Sequence, residues 1–296
     1  MKTLTIFTPT YNRAYILNQA YESLKRQTNK DFIWLVVDDG STDNTEEVVR
    51  GWIDEDIIEI KYIQKENGGK HTAYNVACEN TDTELIMIAL DSDDYLSDDA
   101  VETIIDTWSK CNTMSGIVAL CEDGITKQPM YEKYNIDKSG ICSLQKAFSE
   151  DLFLGEAEFI FKTEYARKFK YPVIEGEKFF TEAYVYYQMD EPMYWIHKSI
   201  YTAVYREDGL TNNLIKGFLK NPVSYFLYNQ IRVKYDKKIP LILKHSIYYV
   251  AFGILSNQKN IVKRSERPFL TFLIYPFGML GSIYLKRLGK KKGIEI

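Results

Sequence analysis

Asp91, Asp93 and Asp94 place three carboxylates within four residues, directly after the apolar run Glu84-Leu85-Ile86-Met87-Ile88-Ala89. Like charges this close repel and raise one another's pKa unless a cation sits among them. Hard oxygen donors suit Mg2+ or Mn2+ rather than a soft metal. Magnesium takes one or two protein carboxylates and completes its shell with water and substrate phosphates. The chemistry open to this stretch is therefore to hold a divalent metal against a phosphorylated substrate at a strand's end. The plainer alternative is an acidic loop capping the helix expected from Asp98.

The surrounding pattern says what must position these acids. Leu4-Thr5-Ile6-Phe7-Thr8 reads as a strand stopped by Pro9, and Ala14 to Gln27 carries an apolar stripe of helical spacing. Ile33 to Val37 is a second strand, ended by Asp38-Asp39-Gly40, with Ser41-Thr42-Asp43 able to cap a helix reaching Ile53. Ile57 to Ile63 predicts a third strand, Lys70 to Glu79 a helix, Glu84 to Leu90 a fourth strand. A helix from Asp98 to Ser109 and a strand from Ile117 to Cys121 follow. Strands alternating with helices call for an α/β fold with a largely parallel sheet covered on both faces. In such sheets ligands bind outside the carboxyl ends of the strands. The loops Thr8 to Arg13, Asp38 to Ser41, Asn67 to Lys70 and Asp91 to Asp93 should therefore share one rim.

Beyond residue 125 the alternation stops. Lys127 to Ser143 reads as an irregular excursion, Phe159 to Lys162 as a strand, Phe179 to Gln188 as helical, and Tyr194 to Tyr205 as strands. Long helices are expected over Pro222 to Tyr235 and Ile239 to Gln258, with a boundary near Asn212. Residues 1–211 then form one domain and 212–296 a helical region. Phe269 to Leu285 carries no charge, yet Lys263, Arg264, Arg267, Lys286, Arg287, Lys290, Lys291 and Lys292 flank it against only Glu266 and Glu295. Interrupted by Pro276 and Gly278, this run falls short of the roughly 20 apolar residues of a membrane span. It suits the bilayer interface, with lysines on anionic lipid; the alternative is a buried helix with a solvated basic end.

Composition narrows the classes further. A chain of 296 residues with 45% apolar and 26% charged residues has material for a large core. A net charge of −4 argues against a nucleic-acid binder. Cys78, Cys111, Cys121 and Cys142 show no metal-ligand spacing, and the N-terminus runs straight into a strand, so reduced thiols in the cytoplasm are expected. The 23 tyrosines offer amphipathic surface of the kind sugars and membrane interfaces favour.

Taken in order, "TIFTPTYNR", "VVDDGSTDNT", "ENGGKHTAYNVA" and "ALDSDDYL" resemble the inverting family 2 glycosyltransferases, densely over the first 110 residues and thinly to Tyr205. "NGGKH" followed by "DSDDYL" is similar to bacterial enzymes of capsule or exopolysaccharide synthesis. The resemblance implies the GT-A fold, a Rossmann-like nucleotide-sugar-binding sheet flanked by helices, here with a C-terminal helical extension. It implies that Pro9 and Tyr11 pack around the nucleobase and that Asp39 accepts from the uracil imide. It implies further that Lys70 lies near the phosphates, Asp91 approaches the ribose or sugar, and Asp93 binds Mn2+ or Mg2+. Asp94 is an extra acid that could serve as a ligand; His71 and Arg206 are left without a role. The general base is expected at a helix start, with Glu182 preferred over Glu175 and Glu177, although Ala183 stands where the family has a second acid.

The expected activity is metal-dependent transfer of a sugar from a UDP-sugar to a hydroxyl of a lipid-linked saccharide acceptor. The site of action would be the inner face of the cell membrane, with no nucleic acid involved. Two alternatives are a sugar-1-phosphate nucleotidyltransferase, which usually carries a Gly-rich loop after its first strand, and a non-catalytic nucleotide-binding subunit.

Overall fold

The structure is a computed structural model that describes residues 2–204 and 214–294. The boundary expected at Asn212, and Arg206, lie outside the described residues. In chain order the elements are β1 (Leu4–Thr10), α1 (Asn18–Lys25), β2 (Phe32–Asp38), α2 (Thr45–Glu55), β3 (Ile60–Gln64), α3 (Lys70–Glu79), β4 (Leu85–Ile88), β5 (Tyr95–Leu96), α4 (Ala100–Cys111) and β6 (Gly116–Asp123). Then come β7 (Tyr131–Tyr134), β8 (Ile141–Cys142), α5 (Leu144–Ser149), β9 (Phe153–Gly155), β10 (Ala157–Lys162), α6 (Thr163–Ala166), α7 (Ala183–Tyr186) and β11 (Met193–Ala203). The last helices are α8 (Leu214–Lys220), α9 (Pro222–Tyr235), α10 (Ile239–Leu255), α11 (Ile261–Arg264) and α12 (Pro268–Lys291). These fall into two compact units, one of residues 1–144, 152–170 and 191–205, the other of 145–151, 171–190 and 206–296.

The first unit is built on a nine-stranded sheet in the order β3-β2-β1-β4-β10-β6-β11-β5, with β8 beside β11. β1 pairs in parallel with both β2 and β4, and β2 with β3. All seven residues of β2, Phe32 to Asp38, are buried, as a strand covered on both faces requires. Tyr21 of α1 stacks on Trp52 of α2 at 4.3 Å and on Trp34 of β2 at 5.9 Å, locking two helices onto one sheet face. Trp34 donates its indole N–H to the Thr8 hydroxyl, so the burial of a polar tip is satisfied inside the sheet. The buried residues of α3 include the small Ala73, Ala77 and Cys78 together with His71, Thr72 and Tyr74.

Several sequence expectations change. β10 lies antiparallel between β4 and β6, so the fifth predicted strand is not a neighbour of the fourth. The excursion from Lys127 to Ser143 contains β7, paired with β9, and β8, paired with β11. The helix expected from Ala14 begins at Asn18, because residues 11–17 form the rim loop and its turns. Of the helical pattern at Phe179 to Gln188, only Ala183–Tyr186 is helix.

The second unit has its own core, with Phe226 of α9 stacked on Tyr249 of α10 at 4.7 Å. Inside it Asp236 is fully buried and accepts from Arg232 Nε at 3.0 Å and contacts His245 Nδ1 at 2.6 Å. A buried charge is tolerated only when paired in this way. α12 is one continuous helix of 24 residues despite Pro276. By length and composition it could cross a membrane, which corrects the shorter interrupted run read from sequence.

Candidate active site

Parallel strands β1 to β4 bring their following loops to one rim, and side chains then tie each loop to the next. Asn12 sits at φ 52°, a left-handed conformation that asparagine tolerates. From there its Oδ1 accepts from the backbone N–H of Thr42 at 2.7 Å and of Asp43 at 3.3 Å, and its own N–H donates to Ser41 Oγ at 2.8 Å. The first and second loops are thereby fastened together. Tyr11 beside it is 47% exposed, leaving a ring face available. Pro9 is the penultimate residue of β1, paired with Val37.

Asp38 and Asp39 divide the work of the second loop. Asp38 is fully buried and accepts from Ser41 N–H at 2.8 Å and from the Tyr62 hydroxyl at 2.6 Å, which holds the turn closed. Asp39 reaches the third loop: Oδ1 accepts from Lys65 at 2.5 Å and from Gly68 N–H at 2.9 Å, and Oδ2 from Gly69 N–H at 2.7 Å. Gly40 at φ 82° lets the chain turn here; a Cβ on it would stand 3.0 Å from Asn67 N. Oδ2, which accepts from Gly69 N–H, has a second lone pair for one further donor, although only 6% of the Asp39 side chain is exposed.

The third loop ends at Gly69, where α3 starts with Lys70. The first N–H groups of a helix favour anions, so this N-terminus is suited to phosphate. Lys70 Nζ lies 2.8 Å from Asp91 Oδ1 and 2.9 Å from Oδ2. Arg13 Nη1 lies 3.9 Å from Asp93 Oδ2. Gln19 donates to the backbone carbonyl of Asp93 at 3.2 Å, which pins that residue from α1. Each acid of the Asp-x-Asp pair thus has a basic side chain within ion-pair distance. His71, next in α3, is buried, and desolvation, outweighing the nearby Asp39 charge, pushes its pKa down to about 4.

Asp94 behaves differently. It is 8% exposed, and its Oδ2 accepts from the Tyr201 hydroxyl at 2.5 Å and its Oδ1 from Val204 N–H at 2.6 Å. The same Tyr201 oxygen accepts from the Asp91 N–H at 3.2 Å. Burial and then the Asp91 charge push the Asp94 carboxyl up to about 7 against those hydrogen bonds. Both oxygens being turned onto β11 and the residue after it, Asp94 fastens the acid loop. Asp91 and Asp93 remain the two oxygen donors that point to chemistry. Among the described residues no group of three or more His, Cys, Asp or Glu forms a metal cage. Two carboxylates on a rim fit a magnesium- or manganese-like ion that takes its other ligands from water and a diphosphate.

The second unit holds the three candidate bases. Glu177 is buried, and accepts from Val223 N–H, Ser224 N–H and Ser224 Oγ at 2.7, 2.7 and 2.6 Å. It caps α9 behind Pro222, and that structural duty removes it from the candidates. Glu175 is exposed in the loop before it. Glu182 is exposed, at the N-cap position of α7, and its carbonyl accepts from the Tyr171 hydroxyl at 3.2 Å.

Sequence reading missed Arg13, Asn12, Lys65 and Tyr201. The first two stand inside a recognised motif without an assigned duty. Lys65 and Tyr201 have no local signal, since each acts on a carboxylate more than 25 residues away.

A mixed sheet whose parallel strands β1 to β4 end in loops that gather acids, a lysine and an exposed tyrosine is the architecture of the GT-A nucleotide-sugar-binding fold. The crystal structure of S. aureus TarS 1–349 aligns at TM-score 0.56 and 18% identity, covering 99% of this chain and 92% of that one. The mannosyltransferase PcManGT from Pyrobaculum calidifontis, in complex with GDP-Man and Mn2+, aligns at 0.56 and 18% identity, covering 98% and 79%. The model of glycosyl transferase family 2 matches residues 5–171, more than half of the chain, and the chain belongs to that family.

Among relatives, the GalNAc(5)-diNAcBac-PP-undecaprenol beta-1,3-glucosyltransferase of Campylobacter jejuni is 27% identical over 258 residues, covering 80% of this chain and 78% of that protein. The teichoic acid poly(glycerol phosphate) polymerase of Staphylococcus epidermidis is 32% identical over 132 residues. That match spans 44% of this chain and only 18% of the polymerase.

Proposed function

We propose that this chain is a divalent-metal-dependent, inverting glycosyltransferase that moves a sugar from a UDP-sugar to a hydroxyl of a lipid-linked saccharide. It would work at the cytoplasmic face of the membrane in building a capsule or exopolysaccharide unit. The observation that carries this reading is the cross-linking of four rim loops, which gathers Tyr11, Asp39, Lys70, Asp91 and Asp93 on one rim. Support for the donor comes from TarS, solved in complex with UDP-GlcNAc, and for a lipid-linked acceptor from the Campylobacter relative.

In this reading the Tyr11 ring, beside Pro9, stacks on the nucleobase and Asp39 Oδ2 accepts from its imide N–H. Lys70 turns from Asp91 to the diphosphate, releasing Asp91 toward the ribose or sugar. Arg13 is close enough to Asp93 to exchange its partner in the same way. Asp93, with Asp91 beside it, would hold Mn2+ or Mg2+, which neutralises the charge that gathers on departing UDP. Glu182 takes the proton of the acceptor hydroxyl as that oxygen bonds to the anomeric carbon. The bond from that carbon to the phosphate oxygen breaks on the opposite side, its electron pair leaving with UDP, so the configuration inverts.

A panel of UDP- and GDP-sugars, assayed for nucleotide release with and without EDTA and then for radiolabel transfer to lipid-linked saccharide, tests this. UDP-sugar turnover that EDTA abolishes is the expected result. Transfer that survives in both Asp93→Ala and Glu182→Gln would overturn the mechanism.

A further inference from the structure

In a water-exposed helix the outward face is ordinarily polar and the inward face apolar. α12 reverses this. Its buried positions include Thr271, Gly278, Ser282 and Gly289, small or polar residues, with Ile274 the single large apolar one. Outward stand Phe269 (77% exposed), Phe272, Leu273, Phe277, Leu280 and Tyr284. They recur at three- and four-residue spacing, so they form one continuous stripe along the helix. Only 22% of the most apolar stretch is buried, which sets α12 apart from the core helix of a soluble protein. A contiguous exposed apolar stripe of this length marks a contact surface.

We infer that α12 is a monotopic membrane-binding helix that lies in the plane of an anionic phospholipid surface with this stripe below the headgroups. The inference deepens the membrane partner proposed above and rests on that reading. Three observations select this occupant. First, both ends are basic and carry exposed cations: Lys263 and Arg264 just before the helix, Lys286, Arg287, Lys290 and Lys291 at its close. Cations flanking an apolar stripe complement anionic headgroups. Second, the same charges disfavour a second copy on this face, since parallel and antiparallel pairings alike bring basic end against basic end. Third, the inward face is fitted to α10. A Cβ at Gly278 would stand 2.4 Å from Val250 Cβ, and one at Gly281 would stand 3.4 Å from Ala251 Cβ. At about 1.5 Å per residue the 24 residues are long enough to cross a bilayer. Crossing, however, would strip α12 from α10 and uncover Val250 and Ala251, which are now fully buried.

The full chain, without donor or acceptor, is sedimented with vesicles of phosphatidylcholine alone and of phosphatidylcholine with phosphatidylglycerol. Expected are pelleting with the anionic vesicles, weak pelleting with the neutral ones, and release by alkaline carbonate. Phe272→Glu with Phe277→Glu lowers partitioning to anionic vesicles at least about tenfold. Lys286→Glu with Lys290→Glu lowers it by about tenfold or more, and less at high salt. Both double variants keep the wild-type melting curve, because the four side chains are exposed. Failure to pellet with either vesicle overturns the inference. So does resistance to carbonate, which means a span, or a lipid-free dimer that Phe277→Glu dissociates while vesicle binding persists. Transfer to a detergent-dispersed acceptor separates the two readings: vesicle binding upholds the membrane helix whether or not transfer is detected.

Discussion

The loops after β2 and after β4 both carry adjacent acids, yet they hold them by different means. In the first, Asp38 and Asp39 are buried and accept from backbone N–H groups of Ser41, Gly68 and Gly69, donors that cannot leave, to which the Tyr62 hydroxyl and Lys65 are added. In the second, Asp91 and Asp93 are partly exposed and lie against the side-chain ends of Lys70 and Arg13, which can swing away. A carboxylate held by fixed donors contributes mostly to architecture; one neutralised by a flexible cation can exchange it for a metal or give it up to a phosphate. Asp94, adjacent to Asp93 in sequence, belongs with Asp38 by this criterion.

That contrast predicts how substitutions should separate. Asp93→Ala should lower transfer most, by about 10²- to 10³-fold, as loss of one charge-stabilising group commonly does. Its melting temperature should stay near wild type; a large drop would show that Asp93 is structural after all. Asp39→Ala should lose on both counts. Leaving Gly68, Gly69 and Lys65 without their acceptor costs roughly 2–4 kcal/mol, and the donor KM should rise with it, as thermal melts and initial rates would show. An unchanged melt would place Asp39 with the exchangeable acids.

Asp94→Asn should cost about 1–3 kcal/mol of stability through mispaired donors. It should lower Mn2+ affinity, read by electron paramagnetic resonance, far less than Asp93→Ala does. Equal losses of affinity in the two variants would return Asp94 to the metal.

The smallest effect concerns pH. Folded His71 titrates at about 4 against a reference of 6.5, mainly through desolvation. Between those values the unfolded chain binds more protons, so stability rises with pH across this window. It is lost as pH falls toward 4, on the order of 3 kcal/mol in all. His71→Asn should flatten the difference in melting between pH 4 and 6.5. An unaltered slope would move its origin to another group.

The strands that bear the rim loops were readable because each is a short apolar run ended by Pro, Gly or paired acids. Pro222–Tyr235 was readable to the residue, its proline opening a helix. β10 was not placed, since its apolar run says strand but says nothing of neighbours, and antiparallel insertion between β4 and β6 is decided by the whole sheet. Short-range pattern placed the loops on one rim, and the resemblance of the motifs singled out Tyr11, Asp39, Lys70, Asp91 and Asp93 within them. Tyr201 could not be picked out, because its duty to Asp94 and Asp91 is created by β11 arriving from over 100 residues away. Among the three glutamates near position 180, sequence preferred Glu182 for its place at a helix start; Glu177's capture of the α9 N-terminus is visible only in the structure.

Asn12 gives the rim a property that matters to anyone redesigning it. Because its side chain grips Thr42 and Asp43 while its own amide is held by Ser41, the tyrosine-bearing loop and the Asp-Gly loop are fastened as one piece. A graft that swaps one without the other would sever the grip. Because Asp39 also accepts from Lys65, Gly68 and Gly69, exchanging residues 9–13, 38–43 and 65–69 together is the smallest replacement that keeps these hydrogen bonds.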